Sequence, residues 1–208
     1  MLPALYPVNL VVEGRPCLVV GGGAIAARKA EGLLACGALV HVVAPQVGSE
    51  VRALGVTWEE RPYERGEVRG YRFVVAATDD PAANAAVYAD GESAGIWVNS
   101  ADDPANCSVI LPAVVRRGSL TVAVSTGGRS PALASWLKER LAAELGPEYE
   151  TLLDLLAAER EAVQAAGRST EGLDWRKALD SDMLELIKNG HVADARERLQ
   201  ACLSSSLD

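Results

Sequence analysis

Val19-Val20-Gly21-Gly22-Gly23-Ala24-Ile25-Ala26 decides the fold. With Cys17 and Leu18 it makes an apolar run, Cys17–Gly21, that ends in glycine, the pattern of a short strand buried on both faces. Ala24–Cys36 then reads as a helix. Ile25, Gly32-Leu33 and Cys36 mark its apolar side, Arg28-Lys29 its charged side, and Gly37 its stop. The glycines fit G-x-G-x-x-A. Gly21 permits the tight turn, Gly23 lets the backbone approach a pyrophosphate, and Ala26 lets helix and strand pack closely. An anion then sits on the helix N-terminus, where free N–H groups and the helix dipole favour negative charge. Strand, turn and helix in this order predict that Gly21, Gly22 and Gly23 cradle a dinucleotide. The bland alternative is an empty structural turn.

Working outward, Leu39–Ala44, Val56–Glu60, Phe73–Ala77 and Ile96–Asn99 read as further strands, and Pro81–Ala94 as a helix. Strands alternating with helices predict an α/β fold of Rossmann type, a doubly wound parallel sheet over residues 1–112. Ser108–Pro112 and Ser119–Ser125 are two β-like segments split by Arg116-Arg117-Gly118. They predict a small second sheet or a subunit contact in the segment 113–147. Ser130 is a good N-cap and Pro131 a good first helical residue, with Leu133, Trp136-Leu137, Leu141 and Leu145 at helical spacing. Gly146-Pro147 stops that helix. Glu148–Ala166, Asp174–Lys188 and Val192–Leu203 then predict a helical C-terminal domain over 148–208.

Three loops carry candidate chemistry. Thr78 and Asp79 follow the fourth strand, where open α/β sheets bind their ligands, so both are expected to line the cofactor cleft. Capping of the next helix by Asp79 or Asp80 is an equal alternative. Asn99-Ser100-Ala101-Asp102-Asp103-Pro104 follows the fifth strand, and a carboxylate there can take a proton as hydride leaves a neighbouring carbon. A solvated turn is the competing reading. Ser125, Thr126, Gly127, Gly128 and Arg129 form a turn that can present backbone N–H groups to an anion, helped by Arg116, Arg117 and Lys138. The alternative there is a helix cap with solvated arginines. The acidic residue that usually follows the second strand to bind ribose is missing, because the strand ends Val43-Ala44-Pro45-Gln46. Backbone groups or the Gln46 amide must then hold the ribose. No arginine stands at that turn for a 2′-phosphate, which favours NAD over NADP.

The chain has 208 residues and a net charge of −8, with neither half basic, which argues against nucleic acid as a partner. No apolar run approaches the roughly 18–20 residues of a membrane span. The start, Met1 to Pro7, has no positive leader region, so a cytoplasmic protein is expected. Cys17, Cys36, Cys107 and Cys202 form no C-x-x-C pair and read as packed thiols, with Cys107 near the expected site. His41 and His191 stand far apart, and no metal site is expected.

From Leu2 to Leu145 the chain resembles the precorrin-2 dehydrogenase family, the N-terminal module of siroheme synthase. The resemblance rests on Gly21 to Lys29, Ala76-Ala77-Thr78-Asp79-Asp80 with Asn84, Asn99 with Asp102, and Ser125-Thr126-Gly127-Gly128 through Ala134. It implies NAD-dependent oxidation of precorrin-2 to sirohydrochlorin by a homodimer, with 113–147 as its dimerisation segment. It also implies catalysis by Asp102 and cofactor contacts at Ala24, Ile25, Pro45 and Gln46. Precorrin-2 carries many carboxylates, which matches an anion turn on an acidic protein and places Asn99 and residues 125–129 on the substrate. Thr126 stands where some members carry a phosphorylatable serine. Sirohydrochlorin ferrochelatase, with Fe2+ or Co2+ as substrate, is the alternative activity. A nucleotide or tetrapyrrole sensor is the third reading.

Overall fold

The structure is a computed structural model and describes residues 5–101 and 103–204; the expected catalytic Asp102 lies outside the described residues. The chain forms two compact units. The first comprises residues 1–111 with 127–129, and the second 112–126 with 130–208.

In the first unit, strands β1 (Pro16–Val20), β2 (Leu39–Ala44), β3 (Thr57–Glu60), β4 (Phe73–Ala76) and β5 (Trp97–Ser100) make one sheet. Its order is β3-β2-β1-β4-β5 and every pair is parallel. This is the Rossmann-type α/β fold that the first glycine run predicts. Period-two alternation divides the sheet residues between two cores. Cys17, Val19, Val42 and Val75 pack toward α1 (Ala24–Leu34) and the short α2 (Ser49–Ala53). Leu18, Val20, Val74 and Val98 pack on the other face with Val87 of α3 (Pro81–Ala94). Helix α3 starts as its sequence dictates, with Asp80 accepting from Ala82 N–H at 2.8 Å and Pro81 in the first turn. Gly37, in the left-handed region at φ 74°, closes α1 by donating to Leu34 O.

In the second unit, β6 (Ala113–Arg117) and β7 (Leu120–Val124) form an antiparallel hairpin. It precedes α4 (Pro131–Glu144), α5 (Glu148–Ala165), α6 (Trp175–Leu179), α7 (Met183–Lys188) and α8 (Val192–Ser204). Leu152, Leu155, Met183, Ile187 and Leu199 form its core.

Two expected elements differ. Ser108–Pro112 is not a strand: Ser108 and Val109 both donate to Val98 O, and Ser108 Oγ takes Val98 N–H at 2.8 Å. A side chain replaces the ladder there. The strand comes later and includes Arg116-Arg117, with Gly118 at φ 53° in the tight turn. The expected helix over 174–188 is two helices. Ser181 Oγ donates to Ala178 O at 2.6 Å and ends the first, the competition that polar residues offer a helix interior. Among the described residues no helix is long and apolar enough to cross a membrane.

Asp90, nine-tenths buried on α3, anchors the loop between β3 and β4. It accepts from Tyr63 OH at 2.8 Å, Gly66 N–H at 2.7 Å and Arg65 NH2 at 2.6 Å. Burial pushes its carboxyl up, but Gly66, Tyr63 and Arg65 together outweigh that and hold it below its ordinary value. The carboxylate's contribution is therefore complete above about pH 4 and is lost as pH falls below it. Asp90→Asn should cost about 2–3 kcal/mol in urea unfolding at pH 7, and the gap to the parent should shrink at pH 3.

Candidate active site

The turn after β1 is built by what it touches. A Cβ on Gly21 would stand 2.1 Å from Ala77 O, at the end of β4, and Gly21 itself sits at φ 131°. A Cβ on Gly22 would stand 1.9 Å from Gln46 O, just past β2. Gly21 N–H donates to Val43 O at 2.9 Å and Gly48 N–H to Gly22 O at 2.9 Å. Gly21 and Gly22 are thus glycine because two neighbouring loops press their backbone against them. Gly23 differs, since a Cβ there would meet nothing within 4 Å. Its outer face is open, and as N-cap of α1 it offers no side-chain acceptor to the first helical N–H groups. Ala26 is fully buried, as close packing of α1 on β1 requires. The residues present therefore fit a pyrophosphate at the start of α1: open backbone, N–H donors and a favourable dipole.

Gly22, Gly23 and Ala24 line a cleft of about 250 Å³ together with Gly48, Ser49 and Glu50. Pro45 and Gln46 are exposed beside it, while Ile25 is partly exposed on α1. The Ser49–Glu50 side of the cleft was not legible in the sequence. It belongs to a helix of five residues, too short to show a periodic pattern, and it reaches the cradle only because Gly48 bonds to Gly22.

Thr78 stands beside the same turn, its N 3.3 Å from a Cβ placed on Gly21. Its hydroxyl lies 2.8 Å from Asn84 Oδ1 and 3.0 Å from Asp80 O, and Asn84 Nδ2 returns a bond to Thr78 O at 3.0 Å. Thr78 and the buried Asn84 therefore shape the end of β4. Asp80 is the helix cap and Asp79 is exposed.

The loop after β5 is tied at both ends. Ala101 N–H donates to Ala76 O at 2.8 Å. Cys107 Sγ takes Ser100 N–H at 3.1 Å and lies 3.2 and 3.3 Å from the carbonyls of Ser100 and Asp103, one of which receives the thiol proton. Burial pushes this thiol up, with the Ser100 N–H opposing, so Cys107 is an unreactive tie rather than a nucleophile. Buried Asn99 donates to Val109 O at 2.9 Å. Asn99 Oδ1 and Ser100 Oγ are buried with no hydrogen-bond partner among the described residues.

Gly127 and Gly128 both adopt left-handed conformations, at φ 61° and 77°. A Cβ on Gly128 would lie 3.8 Å from Pro104 and Ile110, which sets this turn against the loop that follows β5. Thr126 Oγ1 takes Ser130 N–H at 3.1 Å, and Ser130 caps α4 through Leu133 N–H. Arg129 is exposed, and Ser125 sits on the β7 side of the turn. Arg117 does not join an anion site. Its guanidinium donates to Leu145 O at 2.6 Å and Ala142 O at 2.7 Å, the last carbonyls of α4, where a cation meets the negative helix end. His41 bonds to Thr57 Oγ1, and His191 pairs with Asp194. Among the described residues no cluster of histidine, cysteine and carboxylate side chains is arranged to hold a metal.

Sheet order, glycine turn and open helix N-terminus define a dinucleotide-binding α/β protein of Rossmann type. Residues 8–113 match a family model described as NAD(P)-binding, and residues 117–144 match one described as sirohaem biosynthesis protein central. The solved structure of SirC, a precorrin-2 dehydrogenase, is similar, with 31% identity, a TM-score of 0.67, and coverage of 95% of this chain and 98% of SirC. The siroheme synthase of Nitrosomonas eutropha is 36% identical over 210 residues, covering 98% of this chain and 44% of that protein. That of Pseudomonas entomophila is 39% identical over 202 residues, covering 94% of this chain and 43% of that protein. The chain thus spans less than half the length of these siroheme synthases. It belongs to the precorrin-2 dehydrogenase and siroheme synthase family.

The two kinds of glycine separate experimentally. Gly22→Ala should lower the thermal midpoint and abolish dinucleotide binding, because the Gln46 carbonyl must move. Gly23→Ala should keep the midpoint while weakening NAD+ about tenfold by calorimetry, because its methyl occupies the surface a pyrophosphate needs.

Proposed function

We propose that this protein is an enzyme that oxidises precorrin-2 to sirohydrochlorin with NAD+. The observation that carries the reading is the open Gly23 face at the start of α1, at the carboxyl ends of the central strands. The cofactor supplies a hydride acceptor when bound. This chain's residues do the rest. The backbone of Gly22 and Gly23 and the first N–H groups of α1 take the phosphates, with Ala24, Ile25, Pro45 and Gln46 around them. The end of β4, shaped by Thr78 and Asn84, walls the site beside Asp79.

Asp102 is assigned as the base. In sequence it lies between Ala101 and Cys107, and the family resemblance implies an essential aspartate at this position. Loss of hydride from a carbon leaves a proton to be removed, and a positioned carboxylate does that with typically 10²–10⁴-fold effect. Asn99 and the turn of Ser125, Thr126, Gly127, Gly128 and Arg129 are assigned to the substrate, whose carboxylates suit backbone N–H donors and an arginine. The working form is proposed to be a cytoplasmic homodimer. Fe2+ or Co2+ enters only as the substrate of a second, chelatase activity.

Anaerobic turnover of enzymatically generated precorrin-2, followed by absorbance, tests this. Sirohydrochlorin should form only with NAD+. Asp102→Asn should slow that step at least about 100-fold while calorimetry shows NAD+ still bound. If NAD+ changes nothing but supplied sirohydrochlorin is metallated by the enzyme, the chelatase reading replaces this one.

A further inference from the structure

We propose that Glu50 sets the choice between NAD+ and NADP+, taking over from the carboxylate missing at the end of β2. This rests on the dinucleotide reading above and names the residue that makes it specific.

The usual acidic position follows the second strand directly, and here that place holds Pro45 and Gln46. The chain then doubles back. Gly48 N–H bonds to Gly22 O at 2.9 Å, and a Cβ on Gly48 would stand 2.8 Å from that same oxygen. This contact carries the next two residues, Ser49 and Glu50, onto the wall of the cleft that Gly22, Gly23 and Ala24 open. Among its six lining residues, Glu50 is the charged one.

The nearest cation on the same segment is turned elsewhere. Arg52 NH2 bonds to Glu60 Oε1 at 2.6 Å, Arg52 Nε to Val47 O at 3.0 Å, and its guanidinium lies 4.2 Å over the Trp58 ring. Glu60 also takes Val47 N–H at 3.1 Å, which fixes the turn between β2 and α2. Arg52 therefore braces the loop, paired with a carboxylate of its own.

A carboxylate on that wall has two acceptor oxygens for the two hydroxyls of an adenosine ribose. A 2′-phosphate removes one of those donors and sets a dianion against Glu50. The geometry thus both attracts one cofactor and repels the other, which is how discrimination is built.

Calorimetric titration of the full chain with NAD+ and NADP+, and with AMP and 2′,5′-ADP as adenosine-end probes, tests this without turnover. The parent should prefer NAD+ and AMP. Glu50→Gln should cut the NAD+ to NADP+ affinity ratio at least about tenfold, and Glu50→Lys should shift it further toward NADP+. Ser49→Arg, which leaves Glu50 in place, should raise NADP+ affinity alone. An unchanged ratio in both Glu50 variants, or an equal loss of both cofactors with the thermal midpoint retained, overturns the proposal. A parent that binds neither cofactor overturns the dinucleotide reading itself.

Discussion

The contact on which this molecule depends is backbone against backbone at Gly21 and Gly22. Ala77 O and Gln46 O occupy the space where side chains would begin. No rotamer adjustment relieves such a clash, because the obstructing atoms are carbonyls at the ends of β4 and β2. The same approach aligns everything nearby. It sets the start of α1, fixes Thr78 beside the turn, and with the Gly48 bond brings α2 to the cleft. The cradle is where three strand ends converge, and its shape is decided by the sheet.

The second determinant is how the loops beyond β4 and β5 are held. Thr78, Asp80 and Asn84 form a closed set of hydrogen bonds, so the end of β4 is held by the protein's own groups. The loop after β5 is fixed by a half-buried thiol that is bonded to the backbone of Ser100 and Asp103 and to the Asn99 amide. A thiol suits this place. It is small, it tolerates desolvation, and its raised pKa keeps it protonated and uncharged beside the site. The Gly128 turn lies near Pro104 and Ile110, where an added Cβ would stand 3.8 Å from each, so the glycine turn and the loop after β5 are close in space.

Much of this was legible because it follows period and punctuation. The apolar runs at Cys17–Val20 and Phe73–Ala76 are strands, Gly37 stops α1, and Asp80-Pro81 and Ser130-Pro131 open helices. What escaped depends on distance or direction. Charge patterning gave Arg117 a sign but not an orientation, and its side chain turns to the end of α4, 28 residues away. Asp90 finds Tyr63 and Arg65 across 27 and 25 residues, pairings no local pattern encodes. The break at Ser181 hides inside a helical period because one hydroxyl decides it. Glu50 stands on a helix of five residues, too short to show a periodic pattern, and the turn held by the Gly48 bond to Gly22 brings it to the cleft.

The role proposed for Glu50 bears on how an acidic chain accommodates anions. The net charge is −8, and among the described residues the cleft beside the cradle is lined by a carboxylate and no arginine or lysine. In the proposed site the phosphates meet N–H dipoles at α1, which are fixed in direction and need no counter-charge. The carboxylate is then free for the sugar. If a lysine or arginine held the phosphates instead, it would also attract a 2′-phosphate and blur the distinction between the two cofactors. On the proposed reading the tasks are separate, with dipoles for the phosphates and an anion for the diol, so that one short segment binds a charged molecule and rejects its more highly charged relative. The Arg52–Glu60 pair completes the arrangement by keeping the local cation on the loop's frame, 2.6 Å from its own carboxylate.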